Sequence, residues 1–205
     1  SLEEAEEVHI AVAGKYTDLS DAYLSVIKAL QHSSFEVSRK LVIDWIESSD
    51  LDDQAAEAKP DAHTEAWRQL KAADGVLVPG GFGIRGIEGK IKAAEYAREN
   101  GVPYLGVCLG LQVATIEFCR NVLGLEGANS TEFDEDTPNP AVVFMPEISK
   151  THMGGTMRLG SKPTPFLVDD CKMRRLYEGA DHVDERHRHR YEVNPELIEQ
   201  IEGSG

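Results

Sequence analysis

Excess basic charge, paired cysteines and long apolar runs are all missing from these 205 residues, and each absence excludes a class of function. Lys and Arg number 21 against 36 Asp and Glu, a formal net charge of −15. Such a chain repels nucleic-acid backbones and anionic membranes, so neither is expected as a partner. Much of the negative charge is local, in Glu3, Glu4, Glu6 and Glu7 and in the Asp50–Asp61 stretch. These runs are expected to be a solvated lead and a solvated loop. The three cysteines, Cys108, Cys119 and Cys171, have no C-x-x-C spacing and leave an odd one out. That excludes a disulfide framework or a zinc ribbon and suits a reducing cytoplasm. No apolar run approaches the ~20 residues of a membrane span, and no signal-peptide pattern opens the chain. A soluble, cytoplasmic protein is expected. Hydrophobic residues still make up 41%, enough for the core of one domain.

The apolar residues that are present alternate between two periods. His9–Gly14 is a short apolar run ending in glycine, a buried strand. Asp18 or Ser20 can cap a helix reaching about Gln31, with Tyr23, Val26, Ile27 and Leu30 at helical spacing. Val37–Ile46 is β-branched and predicts a second strand, and Thr64–Ala72 a short helix with Trp67 and Leu70 on its apolar side. The centre is more regular: strand Gly75–Pro79, glycine turn Gly80–Gly86, helix Ile87–Asn100, strand Val102–Val107, helix Leu109–Val122. Alternation of this kind predicts an α/β fold: a flavodoxin-like, doubly wound, mainly parallel sheet with helices on both faces. Ala141–Phe144, Thr156–Leu159, Pro165–Val168 and Arg186–Val193 read as further strands, with a short helix near Cys171–Tyr177.

Gly106-Val107-Cys108-Leu109-Gly110 puts a cysteine at a sharp turn between a strand and a helix, expected at the C-terminal edge of a central parallel strand. The pattern is the Gly-x-nucleophile-x-Gly elbow with cysteine in the serine's place. Glycine on each side permits a strained backbone and leaves room for a substrate. The following helix aims its N-terminus at the sulfur, which favours thiolate, and its free N–H groups suit an oxyanion. An isolated cysteine is more often a small buried residue, the role expected of Cys119; Cys171 has no comparable setting. The flanking glycines make Cys108 the candidate nucleophile.

Gly81-Phe82-Gly83-Ile84-Arg85-Gly86 formally matches the dinucleotide fingerprint G-x-G-x-x-G. That fingerprint wants an acidic residue about 20 positions on, at the end of the next strand. Here that strand ends in Val107-Cys108, so no NAD site is expected. Gly86 is followed by Ile87, which excludes a P-loop. Consecutive parallel strands open on one edge, so Gly80 and Gly81 should lie beside Cys108 and offer it a second N–H donor.

Pro79-Gly80-Gly81-Phe82-Gly83 together with Gly106-Val107-Cys108-Leu109-Gly110-Leu111-Gln112 resembles the class I glutamine amidotransferases, which hydrolyse glutamine with a Cys–His–Glu triad. Further segments narrow the resemblance to the glutaminase domains of CTP synthases: Gly14–Asp18 with Asp21-Ala22-Tyr23, Ala128–Phe133, Gly154–Gly160 and Glu185–Val193. The matches run from about Val8 to Ile201. The resemblance implies that Cys108 forms a γ-glutamyl thioester and that Gly81 and Leu109 supply oxyanion N–H groups. It implies a glutamine pocket lined by Gly81, Leu109, Gly110, Leu111 and Gln112, with Glu132 on the α-ammonium and Arg190 on the α-carboxylate. A carboxylate and a guanidinium fork suit those two charges, although each residue alone could be an ordinary surface ion. The resemblance also implies a synthetase domain that receives the ammonia, carries the sites for ATP, UTP and magnesium, and assembles into a tetramer. It implies no cofactor in the present domain.

Arg186-His187-Arg188-His189-Arg190 places the two histidines on one face of a strand and the arginines on the other. His-x-His can bind zinc, but no third ligand is evident. The family's histidine comes in a downstream His-Pro-Glu. None of His9, His32, His63, His152, His182, His187 and His189 matches it. The expected organisation is therefore a linker remnant over residues 1–7 and an amidotransferase domain, C-terminally incomplete, over 8–205. Two alternatives stay open: the amidotransferase of another pathway, such as GMP or carbamoyl-phosphate synthesis, and a catalytically dead binding or oligomerisation module.

Overall fold

The computed structural model describes residues 5–15, 20–81, 83–145 and 157–204. The chain divides into two compact units, residues 1–143 with 193–205, and residues 144–192. In the first, β1 (Glu7–Gly14), β2 (Lys40–Glu47), β3 (Gly75–Val78) and β4 (Tyr104–Gly106) form a parallel sheet in the order β2-β1-β3-β4. The chain winds outward to β2, then returns to the other side of β1, so the winding reverses between β1 and β3. In such sheets the crevice at the reversal, beyond the strands' C-terminal ends, is where ligands bind.

Consecutive residues on β1 and β3 show that the sheet is covered on both faces. Ala11, Val12 and Ala13 are fully buried and every residue of β3 is buried, although neighbours on a strand point to opposite faces. The connecting helices are α1 (Leu24–Glu36), α2 (Asp53–Ala58), α3 (Pro60–Ala72), α4 (Ile87–Asn100) and α5 (Leu109–Asn121).

Several expected boundaries shift. The Asp18 cap lies outside the described residues; a 3-10 turn at Ser20–Tyr23 precedes α1. The helix runs on past Gln31 to Glu36 because the Ser33 and Ser34 hydroxyls bond back to Ala29 O and Gln31 O instead of breaking it. Val37 caps the helix rather than opening a strand, Ser38 turns the chain at φ +51°, and β2 starts at Lys40. The Asp50–Asp61 stretch is not a loop. Ser48–Leu51 is a 3-10 turn, Asp52 caps α2 through Gln54 N, and Pro60 starts α3, while Leu51 and Ala55 are buried. Acidic residues at helix starts satisfy free N–H groups, so the same charges that suggested a loop serve as caps.

Beyond α5 the alternation stops. β5 (Asn129–Ser130), β6 (Pro140–Phe144) and β9 (Tyr191–Val193) form a separate three-stranded sheet in the order β5-β6-β9, in which the chain leaves the first unit through β6 and re-enters through β9. Because these strands do not extend the first sheet, β4 is an outer strand among the described residues, not the central one expected. A 3-10 turn at Pro195–Leu197 and α7 (Ile198–Gly203) follow. The second unit is an antiparallel ribbon of β7 (Arg158–Pro165) and β8 (His182–His189), with α6 (Lys172–Leu176) in the connection between them. Only Pro165 of the expected Pro165–Val168 strand is in a strand. Phe166 N donates to Asp181 O and the ribbon ends there. Thr156 lies outside the described residues.

A buried ion pair ties α4 to α5. Arg98 reaches both oxygens of Glu117 at 2.8–3.1 Å, and Asn121 adds a bond at 2.9 Å. Glu117 is almost wholly buried, whereas about a third of the Arg98 side chain meets water. The two truncations should therefore be unequal. Arg98→Ala strands a buried carboxylate and should cost about 3 kcal/mol, and Glu117→Ala, whose orphaned guanidinium can reach solvent, about 1 kcal/mol. Urea unfolding of the two variants measures the difference.

Candidate active site at the cysteine turn

β4 hands over to α5 through one residue. Cys108 has φ +54° and ψ −106°, a conformation seldom adopted by a side chain other than glycine, and its residue is exposed. Packing on both sides enforces it. A Cβ on Gly110 would lie 2.0 Å from Val78 O at the end of β3, and one on Gly106 would lie 2.4 Å from the Gly110 carbonyl. The first turn of α5 thus sits directly on the strand ends, and the chain must reverse at Cys108. Val107 N donates to Val78 O at 2.9 Å, and the Tyr104 hydroxyl donates to Gly110 O at 2.8 Å. Cys108 O accepts from Leu111 N and Gln112 N, so the helix begins at the cysteine itself. Leu109 N–H falls in the first turn, where a helix leaves its donors without intrahelical acceptors.

The glycine turn after β3 does approach the cysteine. A Cβ on Gly80 would be 3.3 Å from Cys108 Cβ and 3.9 Å from Sγ. Gly81 follows, with Leu109 Cδ2 3.6 Å from its Cβ position. Phe82 lies outside the described residues. The third glycine of the fingerprint has a packing reason unrelated to a dinucleotide. Gly86 enters α4 in the left-handed region (φ +71°), and a Cβ there would meet Ser48 Oγ at 2.3 Å.

The other expected pocket residues separate. Leu109, Gly110 and Gln112 are buried and Leu111 is exposed. Glu132 is an exposed residue just after β5, its N–H donating to Ser130 Oγ, and its charge reaches Lys15. Arg190 belongs to the second unit. It lies in the break between β8 and β9 rather than on a strand with the other arginines; its carbonyl accepts from Met145 N, and its buried Nε has no hydrogen-bond partner among the described residues. His187 and His189 do share the half-buried face of β8, 2.9 Å apart, with His189 Nδ1 on Tyr191 O. Burial pushes His189 down, favouring its neutral form. Among the described residues no group of three or more His, Cys, Asp or Glu side chains could hold a metal ion, and no helix is long and apolar enough to cross a membrane.

His9 and His63 have other tasks. His9 bonds Asp44 at 2.9 Å on the third residue of β1, about 16 Å from that strand's C-terminal end at the rise of an extended chain. His63 Nδ1 meets Asp50 O. His152 lies outside the described residues. Cys119 is fully buried in α5, where burial pushes its thiol up. Cys171 caps α6, its sulfur accepting from Arg174 N.

Two groups at this edge were not foreseen. Lys15 follows β1, is buried and donates to Gly83 O at 3.1 Å; the Tyr23 hydroxyl bonds both its carbonyl and its N–H. Lys90, on α4, is 1% exposed, and its Nζ is 3.8 Å from the Cβ position at Gly81. Burial lowers both amines, Lys90 to about 8. A sequence signal for Lys90 existed: it shares the helical stripe Ile87, Ile91, Ala94, which is otherwise apolar.

An elbow cysteine beneath a glycine turn, on a doubly wound sheet, defines the class. The chain belongs to the class-I glutamine amidotransferases, whose family model matches residues 18–203. Within that family it belongs with the glutaminase domains of CTP synthases. It is 55% identical over 204 residues to the CTP synthase of Candida glabrata and 55% identical over 207 residues to that of Dictyostelium discoideum. The alignments cover 98% and 99% of this chain but 35% and 36% of those proteins, so the chain spans about a third of their length. The glutaminase domain of Trypanosoma brucei CTPS with bound acivicin superposes with a TM-score of 0.85 at 40% identity. That match covers 97% of this chain and 72% of that one.

The close approach at the elbow gives a direct test. Gly106→Ala must push α5 away from β4, so it should cost several kcal/mol, about 3, and slow iodoacetamide alkylation of Cys108. Gly203→Ala, which meets nothing within 4 Å, should change neither. Thermal unfolding and mass spectrometry of the labelled chain read both effects.

Proposed function

We propose that this chain hydrolyses L-glutamine to glutamate and ammonia through a thioester on Cys108. The observation that carries the reading is the strained, exposed cysteine turn with Gly80 against its sulfur. Cys108 Sγ attacks the γ-carbonyl carbon, the S–C bond forms, and the carbonyl electrons move to oxygen. Gly81 and Leu109 N–H groups receive that oxyanion. Collapse breaks the C–N bond, the amide nitrogen takes up a proton and ammonia leaves; water then attacks the thioester and glutamate departs. Leu109, Gly110, Leu111 and Gln112 border the substrate, and Glu132 takes its α-ammonium.

The resemblance to CTP synthases extends the proposal to the whole protein. Ammonia passes to a synthetase domain that aminates UTP to CTP with ATP and magnesium, in a cytoplasmic tetramer. Similarity to CTP synthases at 51–55% identity favours this partner over those of GMP or carbamoyl-phosphate synthesis.

A γ-glutamyl p-nitrophenyl ester tests the nucleophile without needing a general acid, because p-nitrophenolate leaves unprotonated. The chain should release one equivalent in a burst, leave a γ-glutamyl adduct on Cys108, and give no burst as Cys108→Ala. Equal bursts from Cys108→Ala, or an adduct on Cys119 or Cys171, would refute the assignment.

A further inference from the structure

We propose that Lys90 is a positioning residue for this chemistry, its buried ammonium holding the glycine turn so that Gly81 N–H faces the oxyanion formed at Cys108. The inference rests on the roles just given to Cys108 and Gly81, and its first support is location. Lys90 lies in the first turn of α4, its N–H bonded to Gly86 O, and its Nζ abuts Gly81 at 3.8 Å from the Cβ position. Leu109, the residue after the cysteine, closes on the same point at 3.6 Å. Gly81 is thus held between Lys90 and the elbow.

The second support is the choice of residue. Lys90 heads the fully buried side chains in volume and sits in an apolar stripe. Methionine would fill the stem's space with no desolvated charge, so packing alone does not select lysine. The charges facing it come from three elements. Lys15 after β1 repels it and Glu47 at the end of β2 attracts it, while Arg85 in the turn, 3.5 Å from Glu47, competes for the same carboxylate. Glu132 acts on Lys15. Three cations share the half-buried Glu47, which leaves the turn electropositive where negative charge would develop on substrate. A fixed cation in a water-poor site favours that charge without reorganising.

Two reagents separate positioning from structure. Acylation of Cys108 by the γ-glutamyl p-nitrophenyl ester passes through an oxyanion, whereas alkylation by iodoacetamide displaces iodide from a saturated carbon and forms none. Both need the thiolate, so the ratio of their rate constants isolates the oxyanion site. Lys90→Met should lower the acylation rate constant about tenfold, a fraction of the loss of an oxyanion donor itself. Alkylation and the thermal midpoint should not fall. In the unsubstituted chain the ratio should be highest while Lys90 is protonated and drop as pH rises through about 8. In Lys90→Met it should be flat. Acylation unchanged in Lys90→Met, a flat ratio in the unsubstituted chain, or parallel loss of acylation, alkylation and thermal midpoint would each overturn the role of Lys90 alone. No burst from the unsubstituted chain would overturn the assignment of Cys108 and this inference with it.

Discussion

The contact between the first turn of α5 and the end of β3 constrains the rest of the site. With Gly110 pressed on Val78 O and Gly106 pressed on Gly110, strand and helix axes meet with no room for a loop between them. One residue must make the reversal, and it does so in a backbone region that costs a non-glycine residue about 1–3 kcal/mol. The sheet sustains that strain because β3 is buried throughout and β4 is hydrogen-bonded to it in register, Val78 opposite Gly106. Exposure of the thiol and the start of the helix at its own carbonyl follow from the same reversal. The strained, exposed setting of Cys108 is thus a product of packing elsewhere.

A second constraint acts from the other side of the glycine turn. Apolar burial dominates the sheet interior, yet its C-terminal edge contains Lys15 and Lys90, two amines that burial disfavours as ions. Desolvation and mutual repulsion oppose them, and Glu47 and Glu132 offset only part of that cost. Charge of one sign gathered where two strands and a helix converge is expensive for folding, and edges of this kind are where function tends to be found. The elbow sets the geometry of Cys108. The lysines supply a field at the turn beside it.

How much of this was legible depended on the range of the forces involved. The elbow could be read in the order Gly-x-Cys-x-Gly, because the steric demand is met within five residues. The limits of α4 could be read too, with Gly86 before it and Gly101 after it. Harder were elements whose character is set by distant packing. Val37 is β-branched yet caps a helix, and the acidic Asp50–Asp61 stretch is helical because Leu51 and Ala55 find a core to enter. The position of β4 was also misjudged, since strand–helix alternation does not say where later strands will pair.

Taken alone, the sequence determined the fold class, the cysteine turn and the glycine turn next to it, all of which rest on local periodicity or on residues a few positions apart. Tertiary structure decided which glycines are irreplaceable, because only the approach of Val78 O and Ser48 Oγ shows what a methyl group would strike. It also decided that Lys15 and Lys90 share one edge although 75 residues separate them. A lysine's side chain is long enough to reach water from most surfaces, so its composition predicts exposure. Whether it is buried depends on the elements that close over it, and those come from remote parts of the chain.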